Sequence, residues 1–306
     1  MANGIAAIGE CMLELSGQNA PVWRMGFAGD TFNTLWTLRA LTSGHHVDYV
    51  SAFGDDPFSH DQIEFFREHG IGIADSPTIS GKHPGLYAIR LTGGERSFTY
   101  WRGDSAARQL AGDPTALAKS LSERALIYFS GITLAILDPA SRRTLLQAIS
   151  GARTQGAHIA FDPNYRPGLW PDADTARQAI GEALKVVDIA LPTFPDEQAL
   201  FGDTSPEATA ERLERAGIAE TIVKNGAEDA LISHYGDTMP APAPAIVSPI
   251  DTTGAGDAFN GAYLAARLFG LPPTEAAKRA HRVAAAVVQI RGALAPFDIL
   301  KLAFDR

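Results

Sequence analysis

The sequence predicts a doubly wound α/β fold, a mostly parallel sheet with helices on both faces, and three observations carry that prediction. Short β-branched or apolar runs alternate with helix-patterned stretches through most of the chain, and alternation of that kind implies parallel strands joined by helical crossovers. A length of 306 residues can bury a large core and fits one large α/β domain or two ordinary ones; a single domain over 1–306 is the expectation. A hydrophobic fraction of 45% with a charged fraction of 20% describes a folded globular chain rather than a disordered one.

In chain order, "GIAAIGE" is an apolar strand that leads to the helix-patterned "GDTFNTLWTLRALTSG", and "HVDYVSAFG" is a strand followed by the helical "PFSHDQIEFFREHG". The same pairing recurs in "ALIYFSGI" before "PASRRTLLQAISGARTQG", in "HIAFDPN" before a helix over 174–187, and in "VVDIALPT" before "FPDEQALFG". After the helical "PEATAERLERAG" comes "ETIVKNGAEDALIS", and two helices around 255–269 and 274–290 close the chain. Two stretches break the rhythm: 11–27 and 84–102 read as strands, the second a hairpin turning at "TGGE". Inserted between core units, they are expected to form a small sheet of their own, a lid over one edge of the domain. The Pro/Ala-rich 239–245 reads as a connecting loop.

A net charge of −9 argues against general affinity for nucleic acid or an anionic membrane. An anionic ligand must therefore be held by a local cluster of arginines and backbone amides. Cys11 is the sole cysteine, so an intramolecular disulfide and a cysteine-based metal site are excluded, and it reads as a small buried apolar residue. The first residues show no basic leader and Glu10 interrupts their apolar run, so a cytoplasmic location is expected. The histidines form no zinc pattern: His60 and Glu64 read as a solvated helix pair, and His45–His46 as a turn.

The stretch "DTTGAGDAFNG" at 251–261 places two glycines at the start of a helix whose Phe259, Ala262, Tyr263, Ala266 and Phe269 recur at helical spacing. Unpaired amides and the positive end of the dipole make such a start a site for phosphate, although the same residues also read as an ordinary helix cap. The dinucleotide fingerprint is absent, because Phe259 stands where its third glycine would be, and no P-loop pattern occurs.

Taken together, "DTTGAGDAFNGAYLAARL", "GFAGDTFNT" and "SAFGDDPFS" resemble, in the right order and over nearly the full length, the signature segments of the ribokinase-like sugar kinases, the PfkB family. Within that family, "PGLYAI", "GERSFTYWR", "FDPNYRPGLW" and "VKNGAEDA" are most similar to the branch that phosphorylates 2-keto-3-deoxygluconate. The resemblance implies the ribokinase-like version of the doubly wound fold with a β-sheet lid. It also implies ATP and Mg2+ as cofactors, and transfer of the γ-phosphoryl of ATP to the terminal hydroxyl of a sugar acid.

By that resemblance Asp257 is the catalytic base, with the amides of Gly254, Ala255 and Gly256 offered to the transferred phosphoryl. Gly29, Asp30 and Asn33 match the sugar-binding segment, Asp30 also reading as a helix cap; Ala28 departs from the family's glycine pair there. Arg102 and Arg166 are the carboxylate clamp that distinguishes a sugar acid from a neutral sugar. Tyr87 and Tyr100 either contact substrate on the same lid face or simply pack in a small sheet. Asn164, Lys224, Asn225 and Gly226 occupy positions used around ATP, though each also reads as a turn or hairpin residue. Glu197 remains of the family's N-x-x-E near the metal, Phe194 replacing the asparagine, so it would reach Mg2+ only through water.

Apolar groups on both lid faces, including Trp23, Ile89, Phe98 and Trp101, imply two lids packed together in a homodimer. A ketose kinase of the fructokinase or tagatose kinase type, and a non-catalytic sugar- or nucleotide-binding protein on the same fold, are the alternatives.

Overall fold

The computed structural model describes residues 3–17, 22–92, 95–245 and 248–306. The chain begins with β1 (Gly4–Ile8), β2 (Met12–Gly17), β3 (Arg24–Ala28), α1 (Asp30–Leu41) and β4 (His46–Val50). It continues through β5 (Phe53–Gly54), α2 (Pro57–Glu68), β6 (Thr78–Ile79), β7 (Leu86–Thr92), β8 (Glu95–Trp101), α3 (Pro114–Ser120) and β9 (Arg124–Ser130). Next come α4 (Gly131–Ile136), α5 (Pro139–Thr154), β10 (His158–Asp162), α6 (Ala173–Leu184), β11 (Ile189–Ala190), α7 (Phe194–Phe201) and α8 (Pro206–Arg215). The last elements are β12 (Glu220–Val223), β13 (Ala230–His234), β14 (Asp237–Ala241), α9 (Ala255–Leu268), α10 (Pro273–Val287) and α11 (Phe297–Asp305).

The main sheet has the order β14-β13-β12-β11-β10-β9-β1-β4. Its pairings from β4 to β12 are parallel and the last two, β12 with β13 and β13 with β14, are antiparallel. Strand residues alternate between two cores, because successive side chains leave opposite faces of a pleated strand. Ile5, Ala7, Leu126 and Tyr128 join the core under α1, α2, α9, α10 and α11, while Ala6, Ile8, Ile127 and Phe129 join the core under α3 to α8. Burial on both faces explains why these strands read as continuous apolar runs.

Three sequence expectations need correction. Part of the Pro/Ala-rich stretch is not loop: Met239, Pro240 and Ala241 belong to β14, the terminal strand of the sheet. Proline is tolerated there because an edge strand has one row of amides with no ladder to complete. The chain also closes with a third helix, α11, which buries Leu300, Ala303 and Phe304 at helical spacing. In α9 the residues Phe259, Ala262, Tyr263 and Ala266 are buried as expected, but Phe269 caps the helix end and is 50% exposed.

The inserted stretches form a separate four-stranded sheet of order β3-β2-β7-β8. β2 pairs antiparallel with β3 and parallel with β7, and β7 pairs antiparallel with β8. Gly93 and Gly94, at the expected hairpin tip, lie outside the described residues, as do residues 18–21 of the first stretch.

Candidate active site

In an open parallel sheet, ligands bind outside the carboxyl ends of the strands. Glu10 follows β1 there, Asp162 ends β10, and Lys224 follows β12. Helices α1 and α9 lie together over the same edge and are joined by side-chain bonds at their first turns. Asn33 Nδ2 donates to Asp257 Oδ2 at 2.8 Å, and Thr34 Oγ1 donates to the Asp257 carbonyl at 3.2 Å.

The turn before Asp257 has a stereochemical reason for its glycine. Gly254 caps α9 with φ 73°, and a Cβ on it would lie 2.7 Å from the Ala293 Cβ. An L side chain is disfavoured twice over, by dihedral and by space. Asp251 braces the turn from below, its carboxylate accepting from the amides of Thr253 and Gly292, both at 2.9 Å. The Ala255 amide, expected to be available to a phosphoryl group, already donates to the Thr252 carbonyl at 3.3 Å.

Asp257 itself is only partly exposed, and its carboxyl is pushed up to about 7. Burial is the main cause and the charges of Asp30 and Asp162 add to it, while the Asn33 hydrogen bond and Lys224 oppose it. A carboxyl so placed is poised to exchange a proton near neutral pH.

Around Asp257 the polar groups form one connected cluster. Lys224 Nζ donates to Asp162 Oδ2 at 2.7 Å and to Asn260 Oδ1 at 2.9 Å. Asn260 Nδ2 donates to Asp162 Oδ2 at 2.8 Å and to the Tyr128 hydroxyl at 3.2 Å. Asp162 Oδ1 accepts the Asn164 amide at 3.0 Å, and Asn164 Nδ2 donates to Asp30 Oδ2 at 2.8 Å. The backbone of Asn164 is left-handed, with φ 36°, a strained conformation that asparagine bears better than most residues. The Asp30 carboxylate is thus held by Asn164 rather than capping its own helix, where Gly29 is the cap.

Lys224 also faces the helix start, for a Cβ on Gly256 would lie 3.9 Å from its Nζ. The ammonium therefore adds a full charge to the partial charge of the α9 terminus. Asn225 and Gly226 form the turn that follows, with the Asn225 carbonyl accepting from the Glu228 amide at 3.0 Å and Gly226 at φ 61°.

The four-stranded sheet contributes aromatic groups and an arginine. Tyr87 on β7 is the register partner of Tyr100 on β8, with ring centroids 5.8 Å apart, so the two share a face. Tyr87 is buried and donates its hydroxyl to the Glu14 carboxylate, whereas Tyr100 is 53% exposed. Arg102 follows β8 and forms a buried ion pair with Glu10. Arg166 follows β10; its Nη1 donates to Asp196 Oδ2 at 2.9 Å and to the Tyr165 carbonyl at 2.8 Å, and half of its side chain is open to solvent. Glu197 is buried, with Oε2 paired to Arg212 Nη2 at 2.5 Å and Oε1 without a hydrogen-bond partner. Burial drives its carboxyl up to about 7 against the pull of Arg212.

A recess of ≈ 640 Å³ opens elsewhere, lined by residues such as Gly4, His46 and Arg124 at the amino ends of β1, β4 and β9. It lies at the opposite edge of the sheet from Asp257, so size alone does not point to the chemistry.

The sequence pattern of the pfkB family carbohydrate kinases matches residues 2–300. The chain belongs to the pfkB family. Among characterised members, it is 40% identical over 305 residues to the 2-dehydro-3-deoxygluconokinase of Dickeya dadantii strain 3937, covering 97% of this chain and 98% of that protein. It is also 40% identical over 309 residues to the 2-dehydro-3-deoxygluconokinase of Escherichia coli strain K12, covering 98% and 99% of the two chains. The fold matches that of a putative ribokinase II from Escherichia coli, solved in complex with ATP and Mg2+, with a TM-score of 0.84 at 23% identity over 99% of each chain.

In this pfkB-family chain, sequence reasoning passed over Asp162, Asn260 and Glu10. Two of them carried a signal. Asp162 is a carboxylate at a strand's carboxyl end, and Asn260 lies one helical turn beyond Asp257, on the same face. Glu10 was legible only as the residue that interrupts an apolar run.

Proposed function

We propose that the chain is an ATP-dependent 2-dehydro-3-deoxygluconokinase, transferring the γ-phosphoryl of ATP to the terminal hydroxyl of the sugar acid. One observation carries the chemistry: a carboxyl raised to about 7 sits in the first turn of a helix whose glycine-capped amino terminus also faces a lysine ammonium. The substrate class rests on the two relatives of that name at 40% identity and on the arginines beside the site.

In this reading Asp257 orients the accepting hydroxyl and takes its proton, and Asn33 keeps the carboxylate from rotating away. The amides of Gly254 and Gly256, with Lys224, meet charge that develops on the transferred phosphoryl, where preorganised donors are most effective. Gly29, Asp30 and Asn33 read the sugar hydroxyls; Arg102 and Arg166 receive the carboxylate; Tyr87 and Tyr100 form the underside of the lid. Nucleotide lies on the Asn225–Gly226 side.

Mg2+ enters as MgATP, a substrate rather than a resident metal. Among the described residues no group of three His, Cys, Asp or Glu side chains could cage an ion. The Glu197 carboxylate is half taken by Arg212, which suits it to an outer-shell role through water.

A coupled ATP assay over a panel of keto-deoxy sugar acids and neutral ketoses tests the substrate class. The expected result is a kcat/KM at least tenfold higher for 2-keto-3-deoxygluconate than for fructose or tagatose, roughly one good charge-assisted contact. Arg166→Ala is expected to narrow that ratio by raising KM for the acid. Equal kcat/KM values would transfer the assignment to a ketose kinase.

We also infer a homodimer through the lid. Register and alternation put Phe98 and Tyr100 on one face of the sheet and Trp23, Met25 and Trp101 on the other, all of them exposed. One face can cover substrate, and the other is left for a second copy. Sedimentation at micromolar concentration is expected to give a dimer; a monomer there would remove this inference.

A further inference from the structure

We propose that Glu10 is a positioning residue for the sugar-acid carboxylate, holding Arg102 at the root of the lid. This rests on the carboxylate clamp of the proposed function. The geometry puts Glu10 between the two parts of the molecule that must meet around the substrate. Its backbone touches the core segment, since a Cβ on Gly29 would lie 2.2 Å from the Glu10 carbonyl oxygen. Its side chain reaches the place where the lid strands leave and rejoin the core. A Cβ on Gly85, just before β7, would lie 2.6 Å from Glu10 Oε1, and Arg102, just after β8, places Nη2 on Glu10 Oε2.

The pair is buried and incomplete. The side chain of Glu10 is 1% exposed and that of Arg102 is 10% exposed. Both Glu10 oxygens and Arg102 Nε are buried without a hydrogen-bond partner, Oε2 meeting Arg102 Nη2 as an ion contact. A buried ion pair that leaves groups unsatisfied is a poor contributor to stability, and its apolar replacement is often neutral or better. Its placement makes sense if one edge of a guanidinium must be fixed so that the rest is aimed. An arginine docks a carboxylate bidentately only when its plane is set beforehand.

A cycle of Glu10→Gln, Arg102→Met and the double variant tests the assignment through KM for 2-keto-3-deoxygluconate, KM for ATP and kcat. Arg102→Met is expected to raise the sugar-acid KM. Glu10→Gln is expected to raise it on the order of tenfold to a hundredfold, the effect of misplacing a contact by about 1 Å, with kcat and KM for ATP changing less than about twofold. The double variant should match Arg102→Met alone, because Glu10 acts only through Arg102. If Arg102→Met leaves the sugar-acid KM unchanged, the clamp itself is wrong and the proposal falls with it. If Arg102→Met raises KM and Glu10→Gln does not, the clamp stands and only the positioning role is overturned. Should Glu10→Gln not fold, Glu10→Asp, which keeps the charge but shortens its reach to Arg102 Nη2, takes its place: a raised sugar-acid KM with kcat and KM for ATP unchanged is the expected result, and a sugar-acid KM equal to the parent's would overturn the positioning role.

Discussion

Asp257→Asn is expected to fold, to bind both substrates within a few-fold of the parent, and to lose turnover by about 10²- to 10⁴-fold, the usual contribution of a positioned general base. Asparagine keeps the shape and can still accept the Asn33 bond, so the loss isolates proton uptake from positioning. The parent enzyme should show an acid limb in kcat/KM centred near pH 7. The carboxyl titrates at about 7 because burial, then Asp30 and Asp162, disfavour its charge, and only the deprotonated form can act as base. Activity therefore falls as pH drops through 7, and this limb should be absent from the residual activity of the variant.

The same shift makes a stability prediction of opposite sense. A carboxyl whose folded pKa lies above its unfolded value near 3.9 favours the folded state when protonated. That contribution is complete below about pH 4 and is lost as pH rises through about 7. Asp257→Asn removes the charge, so its melting temperature should exceed that of the parent at pH 8 and converge with it at pH 4. Undiminished turnover in a folded Asp257→Asn protein would exclude general-base chemistry at this position.

Much of this site was legible in the sequence because its parts sit at strand ends and helix starts, places marked by local pattern. Asp257, the glycines before it, Asn164 and Lys224 each lie where an apolar run stops or an amphipathic helix begins. What the sequence did not show are relations between distant residues. Asn33 and Asp257 are 224 positions apart, and nothing in either segment reveals that the amide of one steadies the carboxylate of the other. The elevated carboxyl of Asp257 has the same origin, since Asp30 and Asp162 come from two other elements. Asn164, which resemblance groups with nucleotide residues, is a case of the same kind, for nothing in its own segment reveals that its side chain holds Asp30 of the sugar segment. In the fold, Pro240 suggested loop because composition does not say which strand will be at an edge. The third closing helix, by contrast, was readable, for Pro296 and the spacing of Leu300, Ala303 and Phe304 mark it in the chain.

Lys224 offers the sharpest separation of scaffold from chemistry. Lys224→Met leaves the Asp162 carboxylate, 4% exposed, with donors from Asn164 and Asn260 but without its ion-pair partner. Breaking a buried pair in this way costs about 3–5 kcal/mol, and chemical denaturation should show a loss of that size. Turnover should fall as well, by about 10²-fold or more, the scale for deleting one preorganised donor to developing charge. The acid limb should move above pH 7, because Lys224 is one of the two groups holding the Asp257 carboxyl down. The double variant Lys224→Met/Asp162→Asn distinguishes the two roles. It removes the stranded charge, so most of the stability should return. It also removes a group that raises Asp257, so the limb should move back toward 7. In the proposed mechanism turnover should nevertheless stay low, because the helix start still lacks the ammonium assigned to the transferred phosphoryl. Recovery of kcat together with stability would mean that Lys224 serves only to neutralise Asp162, and that the α9 amides meet the phosphoryl charge without it.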